Sequence, residues 1–141
     1  MAAMEPMRVG FLGFGTIGRR VQQLIDERAP EQALIVGAIV RDAGKQRPVG
    51  TPVLVLTVEE LLALKPEVVL EAGGHDALAA FGPAVLRGGC DLLIASAGAL
   101  ARPGLQEDIV SAAERGHAQA RIVSGAIGAL DAISAAAIGG L

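Results

Sequence analysis

Aromatic and basic residues are scarce in this sequence. It has no tryptophan or tyrosine and three phenylalanines in 141 residues, and it carries a net charge of −3 without any basic run. Rings for base stacking and a positive surface for phosphates are both lacking, which argues against nucleic acid as a partner. No apolar segment reaches the ~18 residues that a transmembrane helix needs, and Met1–Arg8 lacks the hydrophobic core of a secretion signal. We therefore expect neither a membrane partner nor export.

Cysteine is nearly absent as well. Cys90 is the only one, so no disulfide can form within the chain, and the simplest expectation is a reducing, cytoplasmic setting. Cys90 starts an apolar run, which favours a buried small hydrophobe over a nucleophile. His75 and His117 are far apart and have no His or Cys neighbours, so the sequence predicts no metal centre.

What the sequence does contain is small apolar residues and glycine. Hydrophobic residues make up 52% and charged residues 19%, which predicts a folded chain. The length suits one domain, since domains usually have about 100–200 residues. Three of the 19 glycines form the pattern G-x-G-x-x-G. A glycine-rich chain can produce this pattern by chance, but here it follows an apolar run that begins at Val9 and precedes residues at helical spacing.

The G-x-G-x-x-G pattern predicts a dinucleotide-binding loop rather than a generic glycine-rich turn. Gly13 permits the tight turn after the strand, Gly15 lets a pyrophosphate approach the backbone, and Gly18 allows the helix to pack closely on the strand. The N–H groups at the start of the helix carry a partial positive charge that suits phosphate. The predicted cofactor contacts include the residues between these glycines: Phe14, Thr16 and Ile17.

Strand-like and helix-like segments alternate along the chain with short connections. The predicted strands are Arg8–Gly13, Ala33–Val40, Pro52–Leu56, Glu67–Ala72, Asp91–Ala95 and Ala120–Ser124. The predicted helices are Thr16–Arg28, a segment from the capping box at Thr57 to Lys65, a segment from an N-cap at Asp76 to Arg87, and a segment with Pro103 in its first turn that ends at Gly116. This alternation predicts a doubly wound, Rossmann-type parallel sheet with helices on both faces. Ligands of such sheets bind at the carboxyl ends of the strands.

The loop after the second strand bears on the choice between NAD and NADP. NAD-selective sites usually place an acidic residue at this strand tip to bind the ribose. Here the tip is Val40, followed by Arg41 and Asp42. Arg41 either faces a 2′-phosphate or the adenine, or is a solvated loop residue, and Asp42 could partly replace the missing acid. We therefore expect the site to accept NAD or NADP.

Two further loops supply candidate cofactor contacts. After the fourth strand, Gly73 allows the backbone to come close to a ligand, and His75 is either a general acid/base or a polar lining group. Near the loop after the fifth strand, Arg102 is either a surface residue or a group within reach of a substrate carboxylate. Small residues in that loop leave room for the nicotinamide ribose: Ser96, Ala97 and Gly98.

Four segments together resemble the L-aspartate dehydrogenase family. They are Gly13–Gly18, "EAGGHDAL" at Glu71–Leu78, "SAGAL" at Ser96–Leu100 and "SGAIGALDAISAAAIGGL" at Ser124–Leu141, so the resemblance covers nearly the whole chain. It implies NAD(P)-dependent oxidation of L-aspartate to iminosuccinate, which hydrolyses to oxaloacetate and ammonia and also feeds NAD biosynthesis. It further implies a homodimer and a contact between Ala126 and the nicotinamide part of the cofactor.

Subunits of that family continue beyond the point at which this sequence stops. Their second, mixed α/β domain carries the catalytic His and an Asn that contacts the cofactor, and neither has a matching position up to Leu141. The expectation is therefore a cofactor-binding domain at 1–125, a connection at 126–141 toward a substrate domain that is missing here, no catalytic residue in the chain and little activity on its own. Two alternatives stay open: a related semialdehyde, homoserine or dihydrodipicolinate enzyme, and a nucleotide-binding module without catalysis.

Overall fold

Strands and helices alternate through the described part of the computed structural model, which is residues 3–45, 47 and 49–123. The strands are β1 (Met7–Leu12), β2 (Ala33–Ile39), β3 (Leu54–Val55), β4 (Val68–Glu71), β5 (Asp91–Ile94) and β6 (Ala120–Ile122). The helices are α1 (Thr16–Arg28), α2 (Val58–Ala63), α3 (His75–Arg87) and α4 (Leu105–Gly116), with a 3₁₀ helix at Ala97–Ala101 before α4. No helix in these residues is both long and apolar enough to cross a membrane. All six predicted strands are present, and their ends differ from the predicted ones by at most two residues.

The six strands form one parallel sheet in the order β3-β2-β1-β4-β5-β6. Val9 in the central strand β1 pairs with Ile35 on one side and with Val68 on the other. The chain moves outward from β1 to β3 and then returns to β4 on the opposite side of β1. Such a reversal creates a ligand-binding crevice at the carboxyl ends of the strands, and "the crevice" below means this space at the ends of β2, β1, β4 and β5. The predicted doubly wound parallel sheet is confirmed.

The sheet buries an apolar layer on each of its faces. Side chains of β4 alternate between the layers, because Val68 and Leu70 pack with α1 while Val69 packs with the other helices. The first layer takes its helical side chains from Val21, Leu24 and Ile25 of α1. The second takes them from Leu61 of α2, Leu78 and Leu86 of α3, and Ile109 of α4. Helices therefore cover both faces, as predicted.

Cys90, which directly precedes β5, belongs to the second of these layers. Its side chain is buried, and its Sγ lies 3.5 Å from the carbonyl oxygen of Pro66. Burial raises the pKa of the Cys90 thiol to about 12, and the negative charges of Asp91 and Glu67 act in the same direction. A thiol with so high a pKa is a poor nucleophile at neutral pH, which confirms the prediction of a buried small hydrophobe.

The start of α2 is the predicted capping box. Thr57 Oγ1 accepts the N–H of Glu60 at 3.1 Å, and the Glu60 carboxylate accepts the N–H groups of Thr57 and Leu56 at 3.2 and 2.8 Å. These backbone donors, that of Leu56 first, lower the pKa of Glu60. The local pattern Thr-Val-Glu-Glu was sufficient to predict this helix start, since both partners lie within one turn.

Two other helix starts differ from the sequence prediction. α3 begins at His75 with Gly74 as its N-cap, so Asp76 lies in the first turn and is not the cap. α4 begins only after Gly104, so Pro103 lies outside the helix. Both caps are glycines with positive φ, 91° and 80°. Glycine adopts this conformation at little cost, so the turns that lead into the helices, rather than capping side chains, determine where these helices begin.

Candidate functional site

The predicted glycine loop lies at the carboxyl end of β1 and leads directly into α1. Gly13 takes a φ of 81°, and its N–H donates to the carbonyl of Ile39 in β2 at 2.7 Å. Gly15 is the N-cap of α1, and this helix has neither a side-chain cap nor an acidic residue in its first turn. Its first N–H groups are therefore left without a side-chain partner, and their partial positive charge favours an anion.

The three glycines of the motif differ in what surrounds them. A Cβ placed on Gly13 would lie 2.4 Å from the Cα of Gly73, so the loops after β1 and β4 contact each other through their backbones. A Cβ on Gly18 would lie 3.0 Å from the ring of Phe14, whereas a Cβ on Gly15 would meet no atom within 4 Å. Of the three, Gly15 alone faces open space, as the middle glycine must if a pyrophosphate is to approach the backbone.

The residues between the glycines divide into one buried and two exposed positions. Phe14 is 8% exposed and packs against Phe11, with ring centroids 5.6 Å apart. The Phe14 side chain belongs to the core, so only the Phe14 backbone is accessible to a ligand. Thr16 and Ile17 form the exposed first turn of α1, where their N–H groups belong to the anion-binding end of the helix.

His75 and Gly98 come together at the crevice although they belong to different loops. His75 is the first residue of α3, and Gly98 lies in the 3₁₀ helix after β5. A Cβ on Gly98 would lie 3.2 Å from both Cε1 and Nε2 of the His75 ring. Ala97, beside Gly98, is exposed. The fold thus places the imidazole of His75, from the β4 loop, against Gly98 of the β5 loop, where it can line a bound ligand.

Glu71, the last residue of β4, is a site residue for which the sequence analysis predicted no role. It is fully buried and is the only charged residue in the described part of the chain to be so. Its Oε1 accepts the N–H of Gly74 at 2.9 Å and the hydroxyl of Ser96 at 3.0 Å, and its Oε2 accepts the N–H of Ser96 at 2.7 Å. The signal that could have revealed it is an acidic residue that ends an otherwise apolar strand and is separated by one alanine from two glycines.

Arg41 follows β2 and reaches across to the start of α3. Its Nη2 lies 3.8 Å from Oδ2 of Asp76, and the other oxygen of Asp76 accepts a hydrogen bond from Nη2 of Arg102. This hydrogen bond, then the charge of Arg102, and less strongly the charge of Arg41, lower the pKa of Asp76. Asp76 therefore links the loops after β2, β4 and β5, and Arg102 is a surface partner of Asp76 rather than a free cation.

A separate cavity of about 370 Å³ opens between α1 and residues 49–51. It shares only Phe14 with the predicted cofactor contacts, and its α1 side includes Arg19, Asp26 and Glu27. Two carboxylates beside one guanidinium make it a poor site for phosphate. Most of the predicted cofactor contacts instead lie around the crevice, and the predicted contact at Ala126 lies outside the described residues.

Comparisons with known proteins agree with this geometry. Residues 13–122 match the family described as "Homoserine dehydrogenase, NAD binding domain". The chain is 38% identical to an L-aspartate dehydrogenase of Ralstonia nicotianae over 96% of its own length and 52% of the relative's, and 40% identical to L-aspartate dehydrogenase 1 of Bordetella parapertussis over 93% and 50%. The chain thus spans about half the length of the curated relatives it matches.

A solved structure shows the same fold. The crystal structure of aspartate dehydrogenase from Thermotoga maritima superposes with a TM-score of 0.64 at 23% identity and covers 92% of this chain and 50% of that one. The family match runs from the first glycine of the loop to the end of β6, and therefore includes the glycine loop, Glu71 and the β5 loop. The chain belongs to the family described as the NAD-binding domain of homoserine dehydrogenase.

Proposed function

We propose that the chain is the cofactor-binding half of an NAD(P)-dependent L-aspartate dehydrogenase. The observation that carries the substrate assignment is the 38% and 40% identity to two L-aspartate dehydrogenases across more than nine-tenths of the chain. The site supports the cofactor part of the proposal, because an open position at Gly15 adjoins a helix N-terminus that no side chain caps.

The crevice suggests how a dinucleotide would lie. The pyrophosphate would sit over Gly15 and the first turn of α1, where the N–H groups point outward. The adenosine would extend toward Arg41 at the end of β2, and the nicotinamide toward His75 and Ser96 at the ends of β4 and β5. The proposed nicotinamide contacts also comprise Gly73, Ala97, Gly98 and Ala126.

The proposed reaction converts L-aspartate and NAD(P)⁺ into iminosuccinate, NAD(P)H and a proton, after which water releases oxaloacetate and ammonia. The bound cofactor supplies the hydride acceptor. In this proposal the residues of the crevice bind and orient it, and none of the described residues is assigned the acid/base step. Because the curated relatives are about twice as long as the chain, we expect the 141 residues alone to bind cofactor with negligible turnover.

A wider role accompanies this proposal. The product iminosuccinate would serve NAD biosynthesis in the cytoplasm, and the complete enzyme would be a homodimer. Residues 1–125 would form the cofactor domain and 126–141 the connection to a substrate domain.

Titration calorimetry with NADH and NADPH, followed by an L-aspartate assay on the same sample, tests the proposal. Binding of at least one cofactor without aspartate-dependent NAD(P)H formation is the expected result for the 141 residues. Absence of binding would refute the dinucleotide site, and rapid turnover would refute the assignment of the chemistry to other residues.

Two alternatives to an aspartate enzyme can be separated by substrate. The matching family description names homoserine dehydrogenase, so a homoserine-type enzyme is the second candidate. A longer protein that contains this chain should oxidise L-aspartate in preference to homoserine if the first proposal holds. A protein that binds cofactor but oxidises neither substrate would favour the third candidate, a non-catalytic nucleotide-binding module.

A further inference from the structure

Burying the carboxylate of Glu71 at the end of β4 carries a large desolvation free energy. Its neighbour in register, Ile94 at the end of β5, occupies a comparable buried position with an apolar side chain. Burying a charge costs several kcal/mol unless donors compensate it. Here three donors do so, and they come from the two loops that border the crevice. Packing at this position does not require a carboxylate, so its reason must lie in what the carboxylate holds.

One group that the Glu71 carboxylate binds is the hydroxyl of Ser96. A serine hydroxyl has a single proton and two lone pairs. The Ser96 hydroxyl donates its proton to Glu71 Oε1 at 3.0 Å, and the N–H of Ser96 donates to Glu71 Oε2 at 2.7 Å. Toward any further partner, Ser96 Oγ can therefore only accept. Because Ser96 is partly exposed at the end of β5, that partner can be a bound ligand.

The Glu71 carboxylate also binds the loop after β4. Its Oε1 accepts the N–H of Gly74, the N-cap of α3. The next residue is His75, whose ring lies against Gly98 of the β5 loop. Glu71 thus determines both the direction of one polar group and the spacing between the two loops, without reaching the surface itself.

We propose that Glu71 is a positioning residue that holds Ser96 Oγ as a hydrogen-bond acceptor for the nicotinamide half of the cofactor. The donor on the cofactor is either a hydroxyl of the nicotinamide ribose or the carboxamide N–H₂. The inference rests on the proposed function, because the bound dinucleotide supplies this donor.

The substitution Glu71→Gln tests the proposal with three ligands: ADP, ADP-ribose and NADH. Glutamine places an N–H₂ group where a carboxylate oxygen accepted, so in either orientation of the amide Ser96 loses one of the two hydrogen bonds, from its N–H or from its hydroxyl, that hold it. NADH affinity should fall about tenfold, because the charge-assisted hydrogen bond between Ser96 and Glu71 holds the group that is proposed to contact the nicotinamide half of the cofactor. ADP lacks this half, so its affinity should change less than about twofold. A loss that already appears with ADP-ribose identifies the ribose hydroxyl as the donor, and a loss confined to NADH identifies the carboxamide.

A second variant keeps the test decisive if Glu71→Gln fails to fold. Ser96→Ala removes only the hydroxyl, and it should weaken NADH about three- to tenfold, the range that one hydrogen bond supplies, with ADP unaffected. It should also alter the fluorescence of bound NADH, because the emitting nicotinamide ring belongs to the half of the cofactor that Ser96 is proposed to contact.

The matched control is Glu67→Gln. Glu67 precedes the same strand at its amino end, and its Oε2 accepts the N–H of Arg8 at 2.8 Å, so this variant makes the same Glu-to-Gln change at an exposed carboxylate–backbone hydrogen bond far from the crevice. Its ligand affinities should equal those of the parent chain.

Two results would overturn the inference about Glu71. One is an equal loss of ADP and NADH affinity in both site variants, and the other is unchanged NADH affinity in Ser96→Ala. A parent chain that binds neither ADP nor NADH would instead refute the proposed function, and the inference with it.

Discussion

The two sides of the crevice are held by different kinds of contact. Toward β4 and β5, Gly13 meets Gly73 backbone to backbone, and Glu71 is fully buried among three donors. Toward β2, Arg41 is 86% exposed and lies 3.8 Å from an exposed carboxylate of Asp76. Exposed ion pairs contribute about 0–1 kcal/mol, whereas a hydrogen bond to a charged group contributes about 1.5–3 kcal/mol.

This difference matches the chemistry of the two cofactors. NAD and NADP share the nicotinamide and the pyrophosphate, and the side of the crevice proposed to bind these groups is built from buried and backbone contacts. They differ at the adenosine ribose, and the side proposed to face it carries an exposed, adaptable arginine. Substitutions on the first side should therefore affect stability or both cofactors, and substitutions on the second should affect one cofactor.

The largest effect is expected from Gly13→Ala. The new Cβ would lie 2.4 Å from a backbone atom of Gly73 at a residue with φ of 81°, so both steric overlap and backbone strain oppose it. We expect a loss of about 2–4 kcal/mol in the free energy of unfolding, measured by urea denaturation. Gly15→Ala is the control, because its Cβ meets no atom within 4 Å. Equal stability of the two variants would contradict the backbone contact.

An intermediate effect is expected from Gly15→Val. A side chain there projects into the space that a pyrophosphate would occupy, so NADH and NADPH affinities should both fall at least about tenfold, or 1.4 kcal/mol. The fold should be retained, as thermal denaturation can show. Unchanged affinity in a folded variant would mean that the phosphates do not lie over the middle glycine.

The smallest effect is expected from Arg41→Ala. If its guanidinium faces the 2′-phosphate, NADPH binding should weaken by about 1 kcal/mol, the upper end for an ion pair that is exposed to solvent. NADH binding should change much less, and the difference should shrink as salt is added. Calorimetry at two salt concentrations measures both.

The control for this variant is Arg121→Ala, which removes the same charge from β6 at the other edge of the sheet. Equal weakening of NADH and NADPH in Arg41→Ala would place the arginine on the shared adenosine or pyrophosphate. No change in either would identify Arg41 as a solvated loop residue.

Short-range patterns were sufficient to predict most of the secondary structure. α1 has its predicted bounds, Thr16–Arg28, because its apolar residues recur at helical spacing between a glycine loop and Pro30. The capping box at Thr57 was predictable because its partners are three residues apart. The parallel sheet followed from the alternation of strands and helices with short connections. In each case the determining interactions lie within one turn, one strand or one crossover.

Contacts between distant residues were not predictable in this way. Glu71 and Ser96 are 25 residues apart in sequence, and Asp76 and Arg102 are 26 apart. The apolar residues before Glu71 could have marked it as a site residue, but they do not indicate that the partner of its carboxylate is a hydroxyl from another loop. The start of α3 was also mispredicted, since Asp76 has the side chain of an N-cap but Gly74 has the backbone conformation of the turn.

The sequence by itself thus determined the type of fold, the glycine loop and the class of ligand, because these depend on local periodicity and on residue types at fixed spacing. Only the tertiary structure decided that Gly13 touches Gly73, that Glu71 is buried between two loops, and that Ser96 is left as an acceptor. The physical reason is that parallel strands place their carboxyl ends side by side. Which residues become neighbours there depends on the order of the strands in the sheet and not on their order in the sequence.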